Sequence, residues 1–168
     1  MAGRRILDAG CASGPVSAAL RDRGAVVTGI DSSAGMLELA RRRLGDDADL
    51  RVVDLRDPLP FDDDSFDDVV ASLVLHYLEA WGPTLAGLRP VLRPGGQLIA
   101  SVNHPFAVHV SQPPPRPSYF ANTSCTDAWT FNGRSFTAAG FRLADSALTT
   151  EDPMIEVIPD QAAVGLRA

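Results

Sequence analysis

The chain has 168 residues, of which 45% are apolar and 21% charged, an ordinary globular mixture far from that of a disordered chain. Fifteen cations against 21 acids leave a net charge of −6, which repels phosphate backbones and disfavours broad nucleic-acid binding. Two cysteines, Cys11 and Cys125, are too few for a disulfide framework or a zinc site and point to a reducing cytoplasm. Neither a signal peptide nor a membrane-length apolar run is present, so the sequence reads as one soluble acidic domain.

The first hundred residues alternate between strand and helix patterns. Arg5 to Ala9 is a short apolar run stopped by Gly10, as a buried parallel strand would be. Pro15 stands where a helix has its first residue, and Arg23-Gly24 closes that helix. A second strand, Ala25 to Ile30, ends at Asp31. Ser32 or Ser33 can cap the next helix, whose Met36, Leu37, Ala40 and Leu44 recur at helical spacing before Gly45 stops it. Leu50 to Val53 predicts a third strand ending at Asp54, then an acidic loop over 59–67 and a fourth strand, Asp68 to Leu73. Leu85 to Leu92 is helical, with Pro90 expected to kink or shorten it; Arg93 to Gly96 is a turn, and Gln97 to Val102 the fifth strand. This order predicts a doubly wound α/β fold with a parallel sheet covered on both faces.

Beyond Asn103 the pattern loosens. Five prolines between 104 and 120 mean that neither a helix nor a central strand can run through that segment. Phe141 to Ala144 predicts a sixth strand and Ala162 to Arg167 a seventh, while Thr137 to Gly140 is too short for the crossover helix expected between strands five and six. The chain thus divides into a ligand-binding half (1–103), a proline- and aromatic-rich lid (104–136) with Tyr119, Phe120, Trp129 and Phe131, and C-terminal strands (137–168).

Chemistry concentrates where the strands end. The first strand leaves through Asp8-Ala9-Gly10-Cys11-Ala12-Ser13-Gly14, whose small residues at 10, 12 and 14 let a ligand approach the backbone. A dinucleotide fingerprint fails here, because Ala12 and Pro15 stand where its second and third glycines belong. An acid at Asp8 repels a pyrophosphate and suits a cation. Asp31 can take both ribose hydroxyls, and Asp54 can accept from the exocyclic amine of adenine. Three acids around one glycine turn describe a pocket for a positively charged adenosine derivative.

These residues resemble the class I S-adenosylmethionine-dependent methyltransferases, in particular their small-molecule branch. The turn 8–14 looks like that family's first motif, Asp31 its ribose-binding acid, and Asp54-Leu55 its adenine-contacting pair. Leu59-Pro60-Phe61-Asp62 through Phe66-Asp67 and Leu92-Arg93-Pro94-Gly95-Gly96 resemble two further family segments. The resemblance implies a Rossmann-like sheet of seven strands in the order 3-2-1-4-5-7-6 with strand seven antiparallel. It also implies S-adenosylmethionine as cofactor, its pocket formed by Asp8, Gly10, Cys11, Ala12, Gly14, Asp31, Ser32, Met36, Asp54, Leu55, Ser72 and Leu73. The family's N-terminal helical cover and the crossover helix near 136–137 are missing from the pattern, which predicts a longer protein.

If the reaction needs a base, His76 after the fourth strand and His104 after the fifth are the candidates, each with a hydrogen-bonding role as the alternative; His109 reads as a lid residue. Asp62 to Asp64 read as a solvated turn rather than a metal site, and Pro114 to Pro117 as a stiff lid segment. The expected acceptor is a small apolar or aromatic molecule, with no nucleic-acid partner. Two other readings stay open: a non-catalytic module that keeps the cofactor pocket, and a nicotinamide-dependent oxidoreductase.

Overall fold

The computed structural model describes residues 1–121, 123–131, 134–142, 155–158 and 163–167. Five parallel strands lie in the order β3-β2-β1-β4-β5: β1 Arg5–Ala9, β2 Val26–Asp31, β3 Asp49–Val52, β4 Phe66–Ser72 and β5 Leu92–Ser101. Helices α1 Pro15–Arg21, α2 Ala34–Leu44 and α3 Trp81–Val91 follow β1, β2 and β4, whereas β3 reaches β4 through a loop with no helix. This is the doubly wound arrangement that the alternating pattern predicts. The described backbone also sets β9 (Ala163–Arg167) antiparallel beside β5, with β8 (Ile155–Ile158) antiparallel beside β9.

Alternation along the strands divides the core between the two faces of the sheet. Leu7, Ala9, Ile30, Val69, Leu98 and Ala100 pack with Leu55, Leu75, Leu88 and Val91 on one face; Ile6 meets Leu20 and Ala25 on the other. The hydroxyl of Ser33, not Ser32, accepts from the Met36 amide at the start of α2, and Gly45 ends that helix at φ 93°. Local capping chemistry therefore sets both ends of α2.

Three expectations are corrected. Helix α3 begins at Trp81, because Pro83 falls in the first turn where its missing N–H costs nothing. The turn at Arg93 to Gly96 is part of β5: Phe66 pairs with Leu92 and Asp68 with Gln97, so the extra residues bulge out of the ladder. Residues 104–120 hold one short helix, α4 (Pro105–Ser111), started by Pro105 in its first turn, capped by His104 and ended before Pro113, so no helix runs through this segment. Phe141 and Arg142 belong not to the main sheet but to a separate antiparallel hairpin of β6 (Thr123–Phe131) and β7 (Arg134–Arg142). Leu143, Ala144 and Ala162 lie outside the described residues, as do the side chains of Cys125, Trp129 and Phe131. Among the described residues, no helix is long and apolar enough to cross a membrane.

Candidate functional site

The carboxyl ends of β1, β2, β4 and β5, with the loop leaving β3, form one edge on which the predicted site residues gather. The glycine turn is fastened to β2 twice by its backbone, since the Gly10 and Cys11 amides both donate to the Ile30 carbonyl (2.8 and 2.9 Å). Asp31 adds a third tie. Its Oδ2 accepts from the Ala12 amide at 2.9 Å and its Oδ1 from the Ser33 amide at 2.8 Å. One half-buried carboxylate therefore joins the turn after β1 to the cap of α2, with lone pairs to spare for a ligand's hydroxyls. Ser32 is exposed beside it, and Met36 is buried in the first turn of α2.

Gly10 and Gly14 are also required by the protein's own packing. A Cβ on Gly10 would stand 2.4 Å from Val74 Cγ2, and one on Gly14 would stand 3.0 Å from Leu44 Cδ1 and 3.3 Å from Ala40 Cβ. Both glycines have positive φ, 75° and 78°. Ala12 also lies in the left-handed region, at φ 48°, where an L side chain is strained. Ala12→Gly removes roughly 1–2 kcal/mol of that strain and adds about 0.5–1 kcal/mol of unfolded-state entropy. The expected result is a gain of about 0.5–1 kcal/mol in denaturant-induced unfolding, and a loss of stability would contradict this backbone geometry.

Asp8 lies beneath the turn rather than on its surface: it is 1% exposed, and its Oδ2 accepts from Ser17 Oγ at 2.6 Å. Burial pushes its carboxyl up to about 6, against the lowering effect of the Ser17 bonds, with a smaller upward contribution from Asp31. Cys11 packs toward Gly29 of β2, and burial followed by the charges of Asp8 and Asp31 pushes its thiol up to about 12. It is a packing residue rather than a nucleophile.

Asp54 follows β3. Arg56 donates to its Oδ1 from the backbone N and from Nε, both at 2.9 Å, and to its Oδ2 from a terminal nitrogen. The Arg56 guanidinium holds the Asp54 carboxyl down to about 2. Leu55 is buried, and its carbonyl accepts from Thr84 Oγ1 of α3 at 3.1 Å.

At the ends of β4 and β5 the hydroxyls of Ser72 and Ser101 lie 3.1 Å apart, and the Leu73 amide donates to the Ser101 carbonyl at 2.8 Å. Leu73 has φ 54° and leaves 52% of its surface exposed. The two histidines differ. His76 is buried in the 3₁₀ turn Leu75–Tyr77, its ring 4.2 Å from that of Tyr77, and β7 lies against this turn. His104 is exposed, and its Nδ1 accepts from the Phe106 amide at 3.2 Å. That bond puts the proton of a neutral ring on Nε2, so this arrangement makes His104 a helix cap and a donor. Sequence reasoning missed Ser101, Val74 and Arg56. Their roles depend on the β4–β5 register, the path of the loop after β4, and the two-residue spacing from Asp54; only the last is visible in the sequence.

A parallel sheet with a glycine turn after its central strand, and acids where the neighbouring strands end, defines a nucleotide-binding domain of the doubly wound class. The family described as a methyltransferase domain matches residues 7–100, more than half of the chain. The chain belongs to this family, within the class I S-adenosylmethionine-dependent methyltransferases. It is 46% identical over 101 residues to a demethylmenaquinone methyltransferase of Clavibacter sepedonicus, a match covering 59% of this chain and 41% of the relative. Against a malonyl-[acyl-carrier protein] O-methyltransferase of Serratia marcescens, identity is 36% over 99 residues, covering 59% and 38%. The chain thus spans about two fifths of the length of these curated relatives. In fold it is similar to an S-adenosylmethionine dependent methyltransferase from Mesorhizobium loti (TM-score 0.76, 24% identity, 99% of this chain and 92% of that one).

Proposed function

We propose that this chain binds S-adenosylmethionine and transfers its methyl group to a small, apolar or aromatic acceptor. The observation that carries the reading is the Asp31 carboxylate, which ties the glycine turn to the cap of α2 and keeps acceptor capacity for two ribose hydroxyls. Asp54 and Leu55 form the adenine side, the turn 8–14 the methionine side, and Ser72 with Leu73 the border of the transferring methyl. Asp8, beneath the turn, supplies negative charge in a poorly solvated position, which favours a cationic ligand above it.

The sulfonium of the bound cofactor supplies a methyl group that is already activated, so this chain's residues chiefly align the acceptor in line and exclude water. With the Nδ1 of His104 engaged as a cap, His76 in the turn after β4 is the candidate base if the acceptor must lose a proton. Support for an apolar acceptor comes from the same edge. Leu73 and Phe106, which follow β4 and β5, are 52% and 56% exposed, and Phe106 continues through Tyr119 to Phe120, ring centroids 6.2 and 5.4 Å apart. The names of the two relatives, a demethylmenaquinone methyltransferase and a malonyl-[acyl-carrier protein] O-methyltransferase, are in keeping with a metabolic acceptor.

Calorimetric titration with S-adenosylmethionine and S-adenosylhomocysteine, with NAD and NADP as controls, tests the reading. Only the sulfur nucleosides should bind. Asp31→Ala should weaken them at least about tenfold, as expected when a carboxylate's hydrogen bonds to a ligand are lost. Binding of the nicotinamide nucleotides instead would overturn the assignment. Cofactor binding without turnover across an acceptor panel would make the chain a binding module.

A further inference from the structure

We infer that Arg56 competes with the cofactor's adenine for Asp54 and thereby sets the affinity of the site. This rests on the reading of Asp54 as the acceptor for the exocyclic amine. Among the described residues, the hydrogen bonds to the Asp54 carboxylate all come from Arg56: two to Oδ1 and one to Oδ2. Together with the Arg56 backbone N–H, the side-on guanidinium takes three of the carboxylate's four in-plane lone-pair directions, leaving one on Oδ2, and its charge weakens both oxygens as acceptors for a neutral donor.

The geometry also indicates which member of the pair can leave. The Arg56 side chain is 75% exposed and that of Asp54 24%, so the guanidinium closes over the carboxylate from the solvent side. The backbone N–H of Arg56 holds Asp54 Oδ1 independently of the side chain, so the carboxylate keeps its orientation when the guanidinium swings away. An exposed pair of this kind is weak and is screened by salt, so displacing it changes affinity by a small factor, about two- to fivefold. The sign is unusual. Salt loosens the competitor, so wild-type affinity for a ligand of no net charge should rise with ionic strength.

The test is calorimetric titration of wild type, Arg56→Ala and Asp54→Ala with S-adenosylhomocysteine and its 6-oxo analogue S-inosylhomocysteine, at low and high ionic strength. Arg56→Ala should bind S-adenosylhomocysteine about two- to fivefold tighter than wild type at low ionic strength. Wild type should approach the variant as salt is added, while the variant stays flat. Unchanged or weaker binding by Arg56→Ala overturns the competition, provided that Asp54→Ala loses the preference for the 6-amino ligand. If Asp54→Ala keeps that preference, Asp54 does not receive the amine; the adenine assignment then falls and takes the competition with it.

Discussion

Gly10→Ala should be among the most damaging small substitutions in this protein. Its new methyl would stand 2.4 Å from Val74 Cγ2 and 2.6 Å from Val74 Cβ, on a backbone at φ 75°. Left-handed strain costs roughly 1–2 kcal/mol and overpacking about 1–3 kcal/mol, so the loss should be about 2–5 kcal/mol. For a chain of this size that lowers Tm by roughly 10 °C. A double-mutant cycle with Val74→Ala separates the two causes, because it removes the clash and leaves the strain. A Gly10→Ala protein that melts with wild type would mean that Val74 does not press on the turn. The contact also bears on function, since it couples the glycine turn to the loop that follows Ser72.

The second large effect is a pH dependence of stability set by Asp8. Its carboxyl titrates at about 6 in the folded chain against an ordinary 3.8, so between these values the folded state holds the proton more tightly than the unfolded chain does. The associated stabilisation is fully present below pH 3.8 and is lost as pH rises through about 6. At about 1.4 kcal/mol per pKa unit this amounts to about 3 kcal/mol, for a group 1% exposed. Asp49, Asp54 and Asp67, each held down by an arginine or a backbone amide, act in the opposite sense at more acid pH. Wild type should therefore be most stable near pH 4 and lose stability toward neutrality. Asp8→Asn, whose amide oxygen can still accept from Ser17, should remove that decline and be more stable than wild type at pH 7. Denaturant titrations across the range with parallel slopes for the two proteins would show that the buried carboxyl is not protonated in this way.

Much of the fold and of the site is legible in the sequence, for reasons that differ by element. The five parallel strands and the caps of α2 follow from local rules: apolar runs that stop at glycine or aspartate, a serine before a helical stripe, a glycine after it. The positions of Asp8, Asp31 and Asp54 follow from the same rules, because each lies within two residues of where a strand's run ends. Their partners do not. Ser17 beneath Asp8 and Val74 against Gly10 come from other elements, so the packing demand on Gly10 is invisible to a local reading of the turn. The bulge in β5 and the start of α4 escape a local reading because glycine and proline pass for breaks; at a bulge or in a first turn they are tolerated. The hairpin β6–β7 escapes it because nothing local distinguishes its second strand from a sixth strand of the main sheet.

The central position of β1 bears on how the chain is made. Its pairing with β2 joins Arg5 to Val26, but its other edge waits for β4, where Ile6 meets Asp68 about sixty residues later. At ribosomal speeds of roughly 5–20 residues per second, that edge stays open for about 3–12 s, long compared with the time a strand needs to pair. A nascent chain in this interval carries an apolar strand with one unsatisfied side, the condition in which chains associate wrongly. The Arg4–Asp68 ion pair at 2.8 Å lies at the end of this seam and can form only once the fourth strand has been synthesised.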